Sequence, residues 1–459
     1  MADSDIDRAI VNIQQQLNIS LKHEQKEILE LILQKKDCVG VLPTGFGKSL
    51  PYQLSILTRQ ALTESADRVG KVIVCSPLVA LMKDQAQRVH RLTGCRAEIL
   101  GNDKTGDFAI RDGNVDFIFG SPETLVGKKE WRSSLQKLQV DTIVVDEFHT
   151  IATWGTDEDN QKKAFRKWFS HIGELRSLFP KASVVALSAT CTLKIQHRVM
   201  KVLCLSPSTK VIKLPPNPAN VKLCVSKVPY NIEHSMAFLA DAITDYNFPK
   251  TLMYCTSITD CAAIYNYLCK ELPDCEIEMY HSETEQEKKD SILGLLQDPS
   301  SKWKLIIATN ALGMGIDVKD CHSLILFGAP RLIVDLLQEI GRVGRDQQPS
   351  LALLLHHGHH LSHVETEVKE FYKAATCRRQ MLMTNFLSES EMNSVKVQSG
   401  NHTCCDLCMK DCSCLNCTDM LYLEKSFLGI SIDSADSVDS TDSDSDFSEE
   451  LLVGDDYDE

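Results

Sequence analysis

Short apolar runs, each closed by a polar or glycine-bearing turn, recur along the first half of the chain at residues 38–42, 72–76, 116–120, 142–146 and 184–187. Between them lie longer stretches whose apolar positions repeat at helical spacing. Continuous apolar runs alternating with amphipathic helices predict an α/β fold, a parallel sheet with helices on both faces. Residues 1–37 read as helical, with a turn near Asn18 to Ser20. Residues 205–222, rich in proline, break the alternation and read as a linker. The alternation then restarts at 251–255, 276–280, 304–308, 323–327 and 351–355, which predicts a second α/β unit. A helical stretch follows over 364–386. The expected domains are 1–205, a linker 206–222, 223–357, a small helical subdomain 358–425, and a tail 426–459.

The first apolar run leads into TGFGKS and then into a segment that can be helical from Leu50 onward. Strand, glycine turn, Lys-Ser and helix form a phosphate cradle. Gly45 and Gly47 let backbone N–H groups approach an anion, Lys48 can neutralise the outer phosphates, and the Ser49 hydroxyl can reach Mg²⁺. Leu42 stands where the full eight-residue pattern has its first glycine, so a plain surface turn is the rival reading of this motif alone. The run at 142–146 ends in Asp146 and Glu147. A strand-end Asp can hold Mg²⁺ through water, and a second carboxylate can orient or deprotonate an attacking water. In the second unit Arg342 and Arg345 stand three apart, which on a helix places them on one face. They are either a solvated basic face or a pair reaching across a cleft to phosphate.

Charge and cysteine change the picture in two places. The net charge of −14 comes almost wholly from the end of the chain, because twelve acidic and no basic residues follow Lys425. The remainder is near neutral and neither supports nor excludes nucleic acid as a partner. The Asp/Ser-rich tail cannot bury enough apolar area to order itself and is expected to be disordered, with a protein partner or acidophilic-kinase substrate role open to it. Of 18 cysteines, eleven are scattered through apolar runs and seven cluster between Cys377 and Cys417. Without a secretory signal, such a cluster suggests a metal site rather than disulfides. His402, spaced His402-x₂-Cys405-x₂-Cys408, competes as a ligand, and Cys412, Cys414 and Cys417 are not expected to close a second site. The HHGHH run at 356–360, with His363, reads as a surface turn without metal. No run of 18 apolar residues predicts a membrane span.

Taken in order, these motifs resemble superfamily 2 helicases, and among them the RecQ DNA helicases. The resemblance runs from about Leu17 to Cys408 and is carried by PTGFGKSLPYQ, VCSPLVALMKDQ, SPETL, VVDEFH, SAT, YCTS, TNALGMGID, QEIGRVGRD and the pair CRRQ and CCDLC. It implies two tandem RecA-like domains, then a zinc-binding subdomain of Werner type and the disordered tail. It implies an ATP-dependent 3′→5′ DNA helicase acting on single-stranded and tailed or branched DNA in the nucleus, with ATP, Mg²⁺ and Zn²⁺. Carried over residue by residue, Gln25 reads adenine. Thr44, Gly45, Gly47, Lys48 and Ser49 hold phosphate and Mg²⁺, Asp317 lies near ribose, and Gln338 with Arg342 and Arg345 completes the γ-phosphate pocket. Asp146 positions Mg²⁺ and Glu147 activates water. Ser76, His149, Trp154, Ser188, Thr190 and Thr309 couple hydrolysis to DNA, and Cys377, Cys404, Cys405 and Cys408 bind zinc. The chain departs from the family at Lys22 and Phe148, where arginine and alanine are usual, and after Trp154 in the aromatic-rich loop. No winged-helix domain is expected after the cysteines. Two alternatives remain: a DNA-binding ATPase or sensor that unwinds poorly, and an RNA helicase.

Overall fold

The computed structural model describes residues 3–63, 69–153, 167–273, 275–312, 318–394, 402–413 and 421–433. Among the described residues thirteen strands form two sheets. The first seven are β1 (Cys38–Val41), β2 (Lys71–Cys75), β3 (Ala97–Ile99), β4 (Phe117–Gly120), β5 (Val140–Asp146), β6 (Ser183–Ser188) and β7 (Lys210–Lys213). They lie in the order β3-β4-β2-β5-β6-β1-β7, and all pairs are parallel. The second sheet contains β8 (Val221–Lys227), β9 (Thr251–Cys255), β10 (Ile277–Tyr280), β11 (Leu305–Ala308), β12 (Ser323–Phe327) and β13 (Ser350–His356). Its order, again all parallel, is β10-β11-β9-β12-β13-β8. This is the expected pair of RecA-like sheets. Strands β1, β4, β9, β11 and β12 are buried along their whole length, which is why they show as unbroken apolar runs.

The order puts β6 between β1 and β5, with Val41 opposite Ser188 and Leu187 opposite Asp146. Three strand ends therefore converge at the carboxyl end of the sheet, where ligands of open α/β folds bind. The first helices, Asp3–Leu17 and His23–Leu33, flank this sheet and are separated at Asn18, whose φ is +49°.

Four expectations need correction. The linker is shorter than 206–222, because β7 occupies Lys210–Lys213 and β8 begins at Val221. β7 is an edge strand, mostly half-exposed, and its KVIK sequence carries too little apolar length to stand out. The single helix over 364–386 is two, Thr366–Tyr372 and Arg378–Met383. The break sets Cys377 in extended backbone (φ −46°, ψ 115°), which turns its side chain toward the other cysteines. The tail does not begin at Ser426, since a helix spans Tyr422–Asp433. Leu423 is fully buried, Phe427 meets Phe238 edge-on at 5.0 Å, and Lys222 pairs with Glu424 in the interior. Apolar residues four apart give that helix a face to bury, which acidic composition alone does not reveal. The expectation of disorder for the rest of the tail, from residue 434, lies outside the described residues. Last, the histidine run is a surface turn only in part: His359 and His363 are exposed, but His357 is 8% exposed and stacks on His360 with ring centroids 3.5 Å apart.

Candidate functional site: a phosphate cradle facing a second domain

The turn after β1 carries Thr44, Gly45, Gly47, Lys48 and Ser49 into the helix Leu50–Thr63. Gly45 and Gly47 take φ of +79° and +85°, which favour glycine. Gln25, 3% exposed, braces the loop from below: Nε2 donates to the Phe46 carbonyl at 2.8 Å and the Gly47 carbonyl at 3.1 Å. Its Oε1 accepts from the Lys22 N–H at 2.9 Å. A Cβ on Gly47 would stand 2.7 Å from Gln25 Nε2 and would push that amide off the loop. The amide that family resemblance assigns to adenine thus holds the cradle in this structure. Lys22 places Nζ 4.1 Å from the Phe46 ring centroid, a cation–π contact that spacing did not suggest.

Asp146 closes β5, and Glu147 follows with φ +49°, a left-handed conformation that costs a carboxylate residue energy and is held by Asp146 Oδ1 accepting from the Glu147 N–H at 3.0 Å. Burial, and then the charge of Glu147, push the Asp146 carboxyl well above its ordinary value. Burial pushes Glu147 the same way, but Lys48, His149 and Arg342 outweigh it and hold its carboxyl below the usual range. Glu147 Oε2 is buried without a hydrogen bond, 3.3 Å from His149 Nδ1. An acid pair with an orphaned oxygen, beside a lysine and a glycine cradle, fits Mg²⁺ and a triphosphate. Phe148, fully buried, donates its N–H to the Leu187 carbonyl, so its bulk lies in the core and not over the acids.

His149, 1% exposed, links the acids to both domains. Nδ1 lies 2.9 Å from Ser188 Oγ, whose hydroxyl donates to the Thr190 carbonyl at 2.9 Å. Nε2 lies 3.1 Å from Gln338 Nε2, which also donates to Thr190 Oγ1 at 2.9 Å. With the Gln338 amide as double donor and the Ser188 hydroxyl committed to Thr190, hydrogen-bond accounting assigns the proton to Nδ1 and the acceptor role to Nε2. Gln338 belongs to the second domain, on the helix Ile333–Ile340. That helix ends before the arginines, so Arg342 and Arg345 do not share a helical face as expected. They stand in a glycine-bearing turn, with Gly344 at φ +65°. Arg342, 8% exposed, faces Glu147 closely enough to stabilise its charge. Arg345 lines a groove of about 550 Å³ together with Lys22, Thr44, Gly45, Phe46 and Thr190. That volume lies within the range of small-molecule sites.

Ser76 and Thr309 sit at the ends of β2 and β11, 2% and 6% exposed, and are not part of this network. Trp154 and Asp317 lie outside the described residues.

At the edge strand β8, where Leu223 bridges Cys405, the sulfurs of Cys377, Cys404, Cys405 and Cys408 all lie within 4.8 Å of one another. Among the described residues no other group gathers metal-ligating atoms this way. Cys377 and Cys404 are 3.6 Å apart, close to the separation of about 3.8 Å that tetrahedral bonds of about 2.3 Å give, so the four fit Zn²⁺. His402 instead contacts Cys412, Nδ1 to Sγ 3.7 Å. Arg378 grips Asp406 with two hydrogen bonds of 2.6 and 2.9 Å, tying both cysteine-bearing segments together.

Paired sheets with a phosphate cradle on one and arginines on the other define a helicase core. The DEAD/DEAH box helicase family matches residues 22–199, and the helicase conserved C-terminal domain matches residues 234–347. Within that class, the chain is similar to DNA helicases of the RecQ family. It is 31% identical over 340 residues to the probable ATP-dependent DNA helicase RecS of Bacillus subtilis (strain 168), covering 73% of this chain and 64% of the relative. It is 28% identical over 418 residues to the mouse bifunctional 3′-5′ exonuclease/ATP-dependent helicase WRN, covering 85% of this chain and 28% of that protein. The chain thus spans less than two thirds of these relatives. In fold it is similar to Mss116p bound to single-stranded RNA and AMP-PNP, with a TM-score of 0.61, 17% identity, and coverage of 86% of this chain and 79% of that one.

Proposed function

We propose that this chain is an ATP-dependent DNA helicase of RecQ type, translocating 3′→5′ on single-stranded DNA and unwinding tailed or branched duplexes in the nucleus. The observation that carries the reading is the contact of Gln338 with His149 and Thr190, which joins the acid pair of one domain to the arginine segment of the other. Hydrolysis at such a site alters the contact between the domains, and two domains that close and open along a strand can translocate. The relatives' names supply DNA as the substrate.

Each residue then has a task. The turn of Thr44 to Ser49 holds the triphosphate, with Lys48 on the β- and γ-phosphates, and Gln25 keeps the turn in shape. Mg²⁺, when bound by Ser49 and Asp146, neutralises charge between those phosphates. Glu147 orients the attacking water and receives its proton. His149 holds Ser188 through Nδ1 and reports closure through Nε2. Arg345 and Arg342 stabilise charge on the transferring phosphoryl group, a contribution on the order of 10³–10⁵ in rate. Asp317 contacts ribose and Trp154 couples strand binding to hydrolysis. The four cysteines would hold Zn²⁺, which would staple the C-terminal subdomain beside β8, where the Leu223 N–H donates to the Cys404 carbonyl at 3.2 Å. The acidic tail takes a protein partner.

The test is ATP hydrolysis with no nucleic acid, with single-stranded DNA and with RNA of matched length. Stimulation by DNA well above that by RNA is expected. Equal or greater stimulation by RNA overturns the DNA assignment.

A further inference from the structure

Residues 214–220, LPPNPAN, join the two sheets. The last of them, Asn220, uses both amide hydrogens: Nδ2 donates to the Gly344 carbonyl at 2.8 Å and to the Gln348 carbonyl at 2.8 Å. Its own carbonyl accepts from the Ser350 N–H at 2.9 Å. Three hydrogen bonds from one linker residue therefore fix both sides of the turn that carries Arg345. Gly344 makes the approach feasible, since a Cβ there would stand 2.5 Å from Asn220 Nδ2. The linker is itself anchored from the opposite side by Arg379, 2% exposed. Its Nη1 donates to Asn217 Oδ1 and the Pro218 carbonyl, both at 2.8 Å. Its Nη2 donates to the carbonyls of Val221 and Cys404. Three prolines fix φ along the segment, so it resists bending between these attachments.

The carbonyl that Asn220 holds belongs to the residue directly before Arg345, in a turn outside any helix or strand. We propose that Asn220 is a positioning residue for Arg345: the linker amide sets where the guanidinium enters the nucleotide groove. The proposal rests on the reading of Arg345 as the arginine that acts on the transferring phosphoryl group. A group displaced by about 1 Å loses on the order of 10²-fold in rate, so the loop need move only slightly.

The test compares the full chain with Asn220→Asp, Arg345→Ala and the double variant, measuring kcat and KM for ATP under saturating DNA, melting temperature and zinc content. Asn220→Asp keeps the shape and removes both donors. It should lower kcat by about 10- to 100-fold with KM within about threefold, and add less than about twofold to the loss in Arg345→Ala, because linked residues are not additive. Melting temperature and zinc content should match the parent. A kcat within about twofold of the parent, a full additive loss in the double variant, or a change in KM alone overturns the proposal. Arg345→Ala with normal kcat overturns instead the underlying reading of Arg345. If Asn220→Asp does not fold, Asn220→Ser, which keeps one donor, should show a smaller loss of the same kind, and unchanged turnover there refutes the proposal.

Discussion

Gln338→Ala is the sharpest perturbation of the contact between the domains. The substitution removes two hydrogen bonds, to His149 Nε2 at 3.1 Å and to Thr190 Oγ1 at 2.9 Å. Each contributes about 0.5–1.5 kcal/mol, so the closed arrangement loses about 1–3 kcal/mol. That corresponds to a shift of roughly 5- to 150-fold in the closed-to-open ratio. The phosphate cradle lies on the other domain and keeps its own contacts, so nucleotide affinity should hold. The assay is steady-state ATP hydrolysis as a function of single-stranded DNA concentration, with nucleotide binding measured separately. DNA-stimulated turnover should fall by about tenfold or more, and Kd for ATP should stay within about threefold. His149→Ala should give a similar loss, and the double variant little more than either alone, because both act through one contact. Turnover of Gln338→Ala within about twofold of the parent would refute the reasoning.

Cys405→Ser should lower zinc from one atom per chain and destabilise the C-terminal subdomain, as elemental analysis and thermal melting would show; a parent with no zinc refutes the site. Glu424→Ala should destabilise the chain by about 3–5 kcal/mol in denaturant unfolding, because it leaves the Lys222 ammonium buried and unpaired, with both side chains at most 6% exposed. Replacing both by apolar residues should recover most of that loss, and a neutral Glu424→Ala would contradict the burial argument. Deleting residues 434–459 removes eleven acidic groups and keeps Phe427 on Phe238. DNA binding should tighten at low salt, with the difference vanishing as ionic strength rises; equal affinities at low salt contradict the prediction.

The sheets were legible because their strands are buried on both faces. The runs 251–255 and 323–327 coincide with β9 and β12 to the residue. β3, β7 and β8 were missed because edge strands need no continuous apolar run: β3 and β7 are largely half-exposed, and β8 is interrupted by Lys222, Ser226 and Lys227. Lys48, Asp146 and Glu147 were legible because their chemistry depends on neighbours within a few positions. The brace from Gln25 to the cradle, the pairing of Lys222 with Glu424 and the grip of Asn220 on Gly344 were not, because they join residues 22, 202 and 124 positions apart. Two of these contacts end on main-chain carbonyls, which every residue possesses and no motif can mark. Arg342 and Arg345 stand in a turn that also carries Gly341 and Gly344, and not on the helix that their spacing suggested.

Strand displacement tests the central claim most directly: labelled duplexes with a 3′ or a 5′ single-stranded tail, incubated with ATP and Mg²⁺, for the full chain beside Lys48→Ala. The parent should separate the 3′-tailed duplex and leave the 5′-tailed one intact, and Lys48→Ala should separate neither. DNA-stimulated ATP hydrolysis without displacement of the 3′-tailed strand, or displacement that persists in Lys48→Ala, would contradict the account.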